Sequence, residues 1–182
     1  MAVRGDLSPV SDYLSEYATG PGWYVARAGF LCLALASAFV AAGYRRTVRD
    51  GKGRAGMLLL WAWSAFALAA VLFPADPGGG TVTLTGTVHA AASLAGFLSL
   101  FIAMILLSGR ARAYGGGKAS YAVFRGLSFS APAAFVLEAA YFVPAGLAGV
   151  GQWLLFGTVW AWLWLAAKRA GEPGAYARAP RR

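Results

Sequence analysis

Few side chains of this 182-residue chain could take part in chemistry. They are one histidine, His89, the carboxylates of Asp76 and Glu138, and a carboxylate pair near the start of the chain, Asp12 and Glu16. A histidine beside a carboxylate can move a proton, and carboxylate oxygens can hold calcium or magnesium. One histidine without a thiol pair makes a zinc site unusual. The catalytic candidates are therefore His89, Asp76 and Glu138, a metal site stays unassigned, and no cofactor is predicted.

The elements that must position these residues are apolar helices. The chain is 59% hydrophobic and 13% charged, with a mean hydropathy of +0.58. Five stretches approach the roughly 20 residues that a helix needs to cross a bilayer, where only helices or closed barrels satisfy the backbone. We place them at Trp23–Gly43, Ala55–Phe73, His89–Ser108, Phe124–Val143 and Val150–Ala167. The predicted fold is all-α, a polytopic membrane bundle of five transmembrane helices plus a short N-terminal interfacial helix.

The cations predict the orientation of this bundle. Of the 16 cations, 14 follow the first, third and fifth spans, at residues 45–54, 110–125 and 168–182. The positive-inside rule then puts the N-terminus outside and the C-terminus in the cytoplasm, in the plasma (inner) membrane. Cations divided among short connections argue against nucleic acid as a partner and predict contact with anionic headgroups of the bilayer on the cytoplasmic side.

Three regions follow from this topology. Residues 1–22 form an extracytoplasmic segment, residues 23–168 the five-helix transmembrane domain, and residues 169–182 a basic cytoplasmic tail whose Pro, Gly and Arg content predicts disorder. The same topology delivers most of the acidic residues to the outer face of the membrane. We therefore expect Asp12, Glu16, Asp76, His89 and Glu138 to share one pocket there.

The opening stretch LSPVSDYLSEYATGPGW, residues 7–23, has the pattern of a short amphipathic helix. Ser8 followed by Pro9 is a typical helix start, and apolar residues then recur at helical spacing. Asp12 and Glu16 are four residues apart and would share one helix face. That face is either solvated or turned inward over the bundle as a lid, and Arg27 is one candidate for compensating its charge.

The connection FPADPGGGTVTLTGTVH, residues 73–89, is predicted to hold Asp76 beside the start of the third helix. Phe73-Pro74 ends the second span, and Thr85 or Thr87 can cap the third. His89 would then begin that helix, either paired with Asp76 for proton transfer or acting as an interfacial hydrogen bonder.

Glu138 lies within the apolar stretch APAAFVLEAAYFV, residues 131–143. An ionised carboxylate facing lipid costs on the order of 2 to 3 kcal/mol even on lenient insertion scales. We therefore expect Glu138 to face the bundle interior, with His89, Arg27 or Gln152 as its partner, or to stay protonated.

Three stretches together resemble a known family. They are SPVSDYLSEYATGPGWYVARAGF, then FPADP followed by GTVHAAASLAGF, and finally GQWLLFGTVWAWLWLA. The chain resembles the bacterial multi-pass membrane proteins classed as domain of unknown function nine-nine-eight. The resemblance implies a helical membrane protein of no assigned activity, and its pattern selects Ser11, Asp12, Ser15, Glu16, Pro74, Asp76, Gly86, His89 and Gln152.

This chain departs from the family pattern in two respects. Members usually begin with another transmembrane helix before the SPVSD-like block, and the sequence shows none there, so either its start is truncated or five helices suffice. Where the family has an arginine after the glutamine, this chain has Trp153, which removes a cation from the outer site.

These observations predict an uncharacterised membrane protein with a polar pocket at the outer leaflet that binds a small molecule or a lipid, or serves as an accessory subunit. The alternative is a membrane-embedded enzyme that uses a His/carboxylate site at the outer face. A homo-oligomer or another membrane protein is compatible with either function. The predicted ligand-binding residues are Ser11, Asp12, Ser15, Glu16, Arg27, Asp76, His89, Glu138 and Gln152.

Overall fold

A computed structural model describes residues 6–48, 50–76, 81–110 and 118–171 of the chain. Five helices within these residues are long and apolar enough to cross a membrane, which confirms the predicted all-helical bundle. They are α1 (Trp23–Tyr44), α2 (Gly51–Leu72), α3 (Leu84–Arg110), α4 (Lys118–Leu137) and α5 (Ala148–Gly171). A π-helical turn, Glu138–Phe142, continues α4.

The helices form a closed ring in which each packs against the next and α5 returns to α1. Consecutive helices run in opposite directions, so the ring has two distinct ends. Residues 6–22, which we call the cover segment, lie over one of them, the covered end. The other, the cationic end, carries Arg45, Arg46, Lys168 and Arg169.

Buried hydroxyl groups join the helices across the ring. The indole nitrogen of Trp63 in α2 donates to Ser37 in α1 at 3.0 Å, and that of Trp162 in α5 donates to Ser108 in α3 at 2.8 Å. Ser64 in α2 also donates to the carbonyl oxygen of Ala34 in α1 at 2.6 Å. Because lipid tails are themselves apolar, the hydrophobic effect does not drive helices together within a membrane. Hydrogen bonds such as these and close packing hold the bundle together instead.

Helix α5 continues to Gly171 and carries two cations near its end. Lys168 and Arg169 lie in its last turn, where cations interact favourably with the helix dipole. The guanidinium of Arg169 is buried and donates to the hydroxyl of Ser120 in α4 at 2.8 Å. The tail from residue 172, and the loop cations Arg49 and Arg112, lie outside the described residues.

The cover segment is folded largely by turns, and its helix is shorter than predicted. One turn of 3-10 helix spans Glu16–Ala18, whereas the residues from Ser8 to Asp12 form a single closed turn. Gly20 and Gly22 both have positive φ angles, of 63° and 75°, and flank Pro21. These two glycines allow the sharp bend that leads into α1.

Candidate functional site

A cavity of about 300 Å³ opens inside the ring at the covered end. Its walls come from α1, α2, α3 and α5, and the cover segment contributes Tyr13, Ser15 and Ala18. Most of the wall is apolar, and its largest side chains are Phe30, Leu33, Trp63, Phe97 and Phe156. Space for the cavity comes from small side chains at facing positions, namely Ala67, Ala70 and Ala92.

The polar part of the cavity wall consists of Tyr13, Ser15, His89, Ser93 and Gln152. Two of these, Tyr13 and Ser15, belong to the cover segment, and the other three lie on α3 and α5. An apolar cavity with a few convergent polar groups is the usual form of a small-molecule site.

Helix α2 fixes the orientation of the His89 ring. Its Nδ1 atom lies 3.1 Å from the carbonyl oxygen of Ala70 and 2.9 Å from that of Phe73. Both partners are acceptors, so Nδ1 carries hydrogen and donates to them. In the neutral imidazole Nε2 is then an acceptor, and it is the ring nitrogen available to an occupant of the cavity.

Helix α5 holds the cover segment through its first turns. The backbone N–H of Leu14 donates to Oε1 of Gln152 at 2.7 Å, and the N–H of Val150 donates to the carbonyl oxygen of Val10 at 3.2 Å. Gly149 lies beside these bonds, so close to the carbonyl oxygen of Pro9 that a side chain at residue 149 would collide with it. The absence of a side chain at Gly149 is therefore what lets the two backbones meet.

Helix α1 also holds the cover segment, through Arg27. The Nε atom of Arg27 donates to the carbonyl oxygen of Ala18 at 3.0 Å, and the guanidinium lies 4.4 Å from the centre of the Trp23 ring. Arg27 thus braces the end of the cover segment. Its side chain is not part of the cavity wall.

Gln152 also connects the cover segment to Glu138. Its Oε1 accepts from Leu14, and its side chain also interacts with the Glu138 carboxyl. Glu138 is only 6% exposed and packs against Gly151. It therefore faces the interior, and Gln152 is the observed partner among the three proposed from the sequence.

Tyr13 lies close to this buried carboxyl group. Burial, together with the negative charges of Glu138 and Glu16, raises the pKa of the Tyr13 phenol. The phenol thus stays protonated over the ordinary pH range and can donate a hydrogen bond at the roof of the cavity.

The acidic residues of the cover segment stabilise its own turns. Asp12 accepts from the backbone N–H of Ser8 at 2.7 Å and from the Ser11 hydroxyl at 3.3 Å, whereas Glu16 accepts from the N–H of Tyr13 at 3.1 Å. The Asp12 bonds are of the local kind that competes with helix formation, and the helix predicted to start at Ser8 is absent there. Neither carboxylate belongs to the cavity wall.

Asp76 organises the start of α3. Its carboxylate accepts from the backbone N–H of Thr83 at 2.9 Å and from the Thr83 hydroxyl at 2.6 Å. The Thr83 hydroxyl accepts from the N–H of Gly86 at 3.1 Å, so Thr83, rather than Thr85 or Thr87, caps the helix. Gly86 has no side chain to displace the Asp76 carboxylate that packs against it. His89 consequently lies more than one turn inside α3, not at its start.

The hydrogen bonds from Thr83 lower the pKa of Asp76, and His89 contributes a smaller effect in the same direction. The folded state therefore favours the carboxylate. This contribution is complete above the ordinary aspartate range, about pH 3.9, and is lost as the pH falls through the lower folded-state value.

We expect the first turn of α3 to lose protection against hydrogen exchange as the pH is lowered below about 4. Asp76→Ala should remove that protection at all pH values, measured at the amides of Thr83 and Gly86. The amide of Gly53, which Asp50 caps at 3.0 Å, is the control that Asp76→Ala should leave unchanged. Full protection of Thr83 in the variant would contradict this role.

The single pocket expected from the sequence divides into separate groups. Of the nine predicted binding residues, three line the cavity: Ser15, His89 and Gln152. Ser11, Asp12, Glu16, Arg27 and Asp76 hold turns, termini or the cover segment, and Glu138 lies behind Gln152. Within the described part of the chain, no three His, Cys, Asp or Glu side chains come close enough to hold a metal ion.

Sequence reasoning missed several residues of the wall. Tyr13 and Ser93 contribute polar groups, and Ala67, Ala70 and Ala92 create the space. Their pattern is that of ordinary apolar helix positions, so nothing in the sequence distinguishes them. Trp153 is 54% exposed and points out of the bundle, so an arginine at that position would not line the cavity either.

These helices and their contacts define an all-helical, multi-pass membrane protein with an interior cavity at one end. Residues 1–169 match the family described as "Protein of unknown function (DUF998)". The match spans most of the chain, so the chain belongs to this family, and the resemblance seen in the sequence is confirmed. A search of curated proteins and a search of solved structures each found no match.

Proposed function

We propose that this protein binds a small, uncharged amphiphile in the cavity beneath the cover segment. The observation that carries the proposal is the pairing of an apolar chamber with a polar rim whose main fixed group is His89. A volume of about 300 Å³ equals that of roughly ten water molecules. Apolar walls favour an organic occupant over that much water.

The wall chemistry selects the kind of polar group on the ligand. Nε2 of His89 offers an acceptor, whereas the hydroxyl groups of Tyr13, Ser15 and Ser93 can donate or accept. A hydroxyl group on the ligand satisfies both kinds of partner. A carboxylate would lose its hydration, and no lysine or arginine is among the described residues of the wall to compensate.

The distribution of cations supports an orientation for this site. With the cationic end in the cytoplasm, the covered end faces the outside of the plasma (inner) membrane. The ligand then enters from the outer leaflet, with its hydroxyl group towards the cover segment and its apolar part between the helices. The cover segment acts as the lid.

Photolabelling with decanol that carries a diazirine at its methyl end tests the binding function. We expect saturable labelling of the cavity wall on α1 and α3, located by peptide mass spectrometry. Unlabelled decanol should compete, and decanoate should compete at least about tenfold less well because its charge is desolvated without a partner. His89→Phe should weaken decanol binding roughly three- to tenfold, the effect of one hydrogen bond.

Two alanines of α2 provide a matched pair of variants. Ala67 lines the cavity, whereas Ala65 is exposed on the outside of the same helix. Ala67→Phe should abolish saturable labelling, and Ala65→Phe should leave it intact. Labelling that does not saturate, or that survives Ala67→Phe, would refute the binding function.

One observation favours an enzymatic role as the second candidate. The carbonyl oxygens of Ala70 and Phe73 hold Nδ1 of His89, which leaves Nε2 oriented as a general base. Chemical change of a bound alcohol or ester that depends on His89 would establish this alternative. Asp76 is not the partner of such a base, because its carboxylate is held at Thr83.

A further inference from the structure

We propose that the groove between α1 and α5 at the cationic end binds one anionic phospholipid of the bilayer. This groove is separate from the interior cavity and does not depend on its function. It has a volume of about 490 Å³ and lies on the outer surface of the ring. Its wall includes Ala36, Phe39, Gly43, Trp160, Trp164 and Ala170.

Small residues form the floor of the groove, and exposed aromatic rings form its sides. At Gly43 the backbone of α1 approaches α5 so closely that a Cβ atom would lie 2.9 Å from that of Ala170. Phe39 is 74% exposed, and Trp160 and Trp164 project on the other side. From Ala36 to Gly43 the floor is roughly 10 Å long, which suits part of an acyl chain.

Cations surround the end of the groove. Arg45 and Arg46 begin two residues after Gly43, are exposed, and line a second depression with Ala42. On the other side, Nζ of Lys168 lies 3.6 Å from the centre of the Trp164 ring. An acyl chain in the groove would therefore bring its phosphate between positive charges from both helices, where anionic headgroups are attracted.

Charge also distinguishes a lipid from a second copy of this chain as the occupant. A two-fold dimer brings the same surface of both subunits together. Arg45, Arg46 and Lys168 would then face the identical cations of the partner, which is repulsive. A phosphate supplies the opposite charge, so the groove and its cations fit a phospholipid with net negative charge better than a neutral one.

Native mass spectrometry of the full chain in mild detergent tests this site. We expect one phosphatidylglycerol to bind more tightly than phosphatidylcholine with the same acyl chains. The double variant Arg46→Gln/Lys168→Gln should weaken phosphatidylglycerol binding about 25-fold, at roughly fivefold for each cation removed. Binding of phosphatidylcholine should change little.

Arg54→Gln is the matched control. Arg54 is an exposed cation at the same end of the bundle but lies on α2, which does not line the groove. It should retain selective binding. Equal loss in Arg54→Gln, equal affinity for both lipids, or a dimer that excludes lipid from wild-type protein would each overturn the site. Ala36→Phe, which fills the floor, should reduce lipid binding without affecting decanol labelling of the interior cavity.

Discussion

Gly149→Val is expected to detach the cover segment from the bundle while the five helices remain folded. A Cβ atom at position 149 would collide with the carbonyl oxygen of Pro9 and lie 2.9 Å from that of Asp12. Both are backbone atoms, so no rotation of a side chain can relieve the contact. The segment would have to move away, and the bond from Val150 to Val10 would break with it.

The size of the effect follows from the cost of overpacking. A strain of about 1 to 3 kcal/mol raises the open fraction roughly five- to 150-fold, and proteolysis follows that fraction when opening is fast. Chymotrypsin cleavage after Tyr13 and Tyr17 should accelerate accordingly. Exchange of the Leu14 amide should rise in parallel, because its acceptor lies on α5.

Gly157→Val is the control on the same helix. A Cβ atom there meets nothing within 4 Å, so cleavage of the cover segment should remain at the wild-type rate. If the cover segment is cleaved equally fast in both variants, the faster cleavage is a general effect of placing a valine in α5. It would then not come from a collision with the cover segment. An unchanged rate in Gly149→Val would show that this contact does not hold the segment in place.

The transmembrane helices could be predicted from the sequence because length and apolar content suffice to identify them. The cover segment could not. Its helical spacing is real, but the carboxylate of Asp12 binds an amide of the segment itself and stabilises a turn in place of a helix. Local propensity therefore gave the wrong extent for this helix.

The candidate site was predictable only in part, for two physical reasons. The cost of a lipid-facing carboxylate placed Glu138 inside the bundle and included Gln152 among its candidate partners, as observed. Shared location at one end did not imply shared contact, however, because Asp76 is bound by the helix cap at Thr83. The cavity itself exists because particular alanines of neighbouring helices face one another. Which alanines do so depends on how each helix is rotated about its own axis.

Gln152→Leu is expected to destabilise the protein more than any other single change in the site. The variant removes the acceptor for the Leu14 N–H and the polar neighbour of the Glu138 carboxyl in one step. Each polar group that is left buried without a partner costs about 1 to 3 kcal/mol. The midpoint of unfolding in mixed detergent should fall, and the cover segment should become sensitive to protease.

A double-mutant cycle with Glu138→Leu separates the contribution of the Leu14 contact from that of the Glu138 contact. Glu138→Leu alone leaves the Gln152 amide without the Glu138 carboxyl as its neighbour. In the double variant, Glu138→Leu instead removes the buried carboxyl that Gln152→Leu has left without a polar neighbour. Removing both partners is less costly than removing one, so the double variant should be more stable than Gln152→Leu. The cover segment should still open, because Leu14 has no acceptor in either background.

Thr158→Ala is the control within α5. Its hydroxyl donates only to the carbonyl oxygen of Leu154 within the same helix, at 2.8 Å, and its loss should leave the unfolding midpoint nearly unchanged. Strictly additive effects of Gln152→Leu and Glu138→Leu would show that the two side chains are not coupled. The connection from Glu138 through Gln152 to the cover segment would then not exist, whereas coupling would show that Glu138 and Gln152 act together where the cover segment meets the bundle.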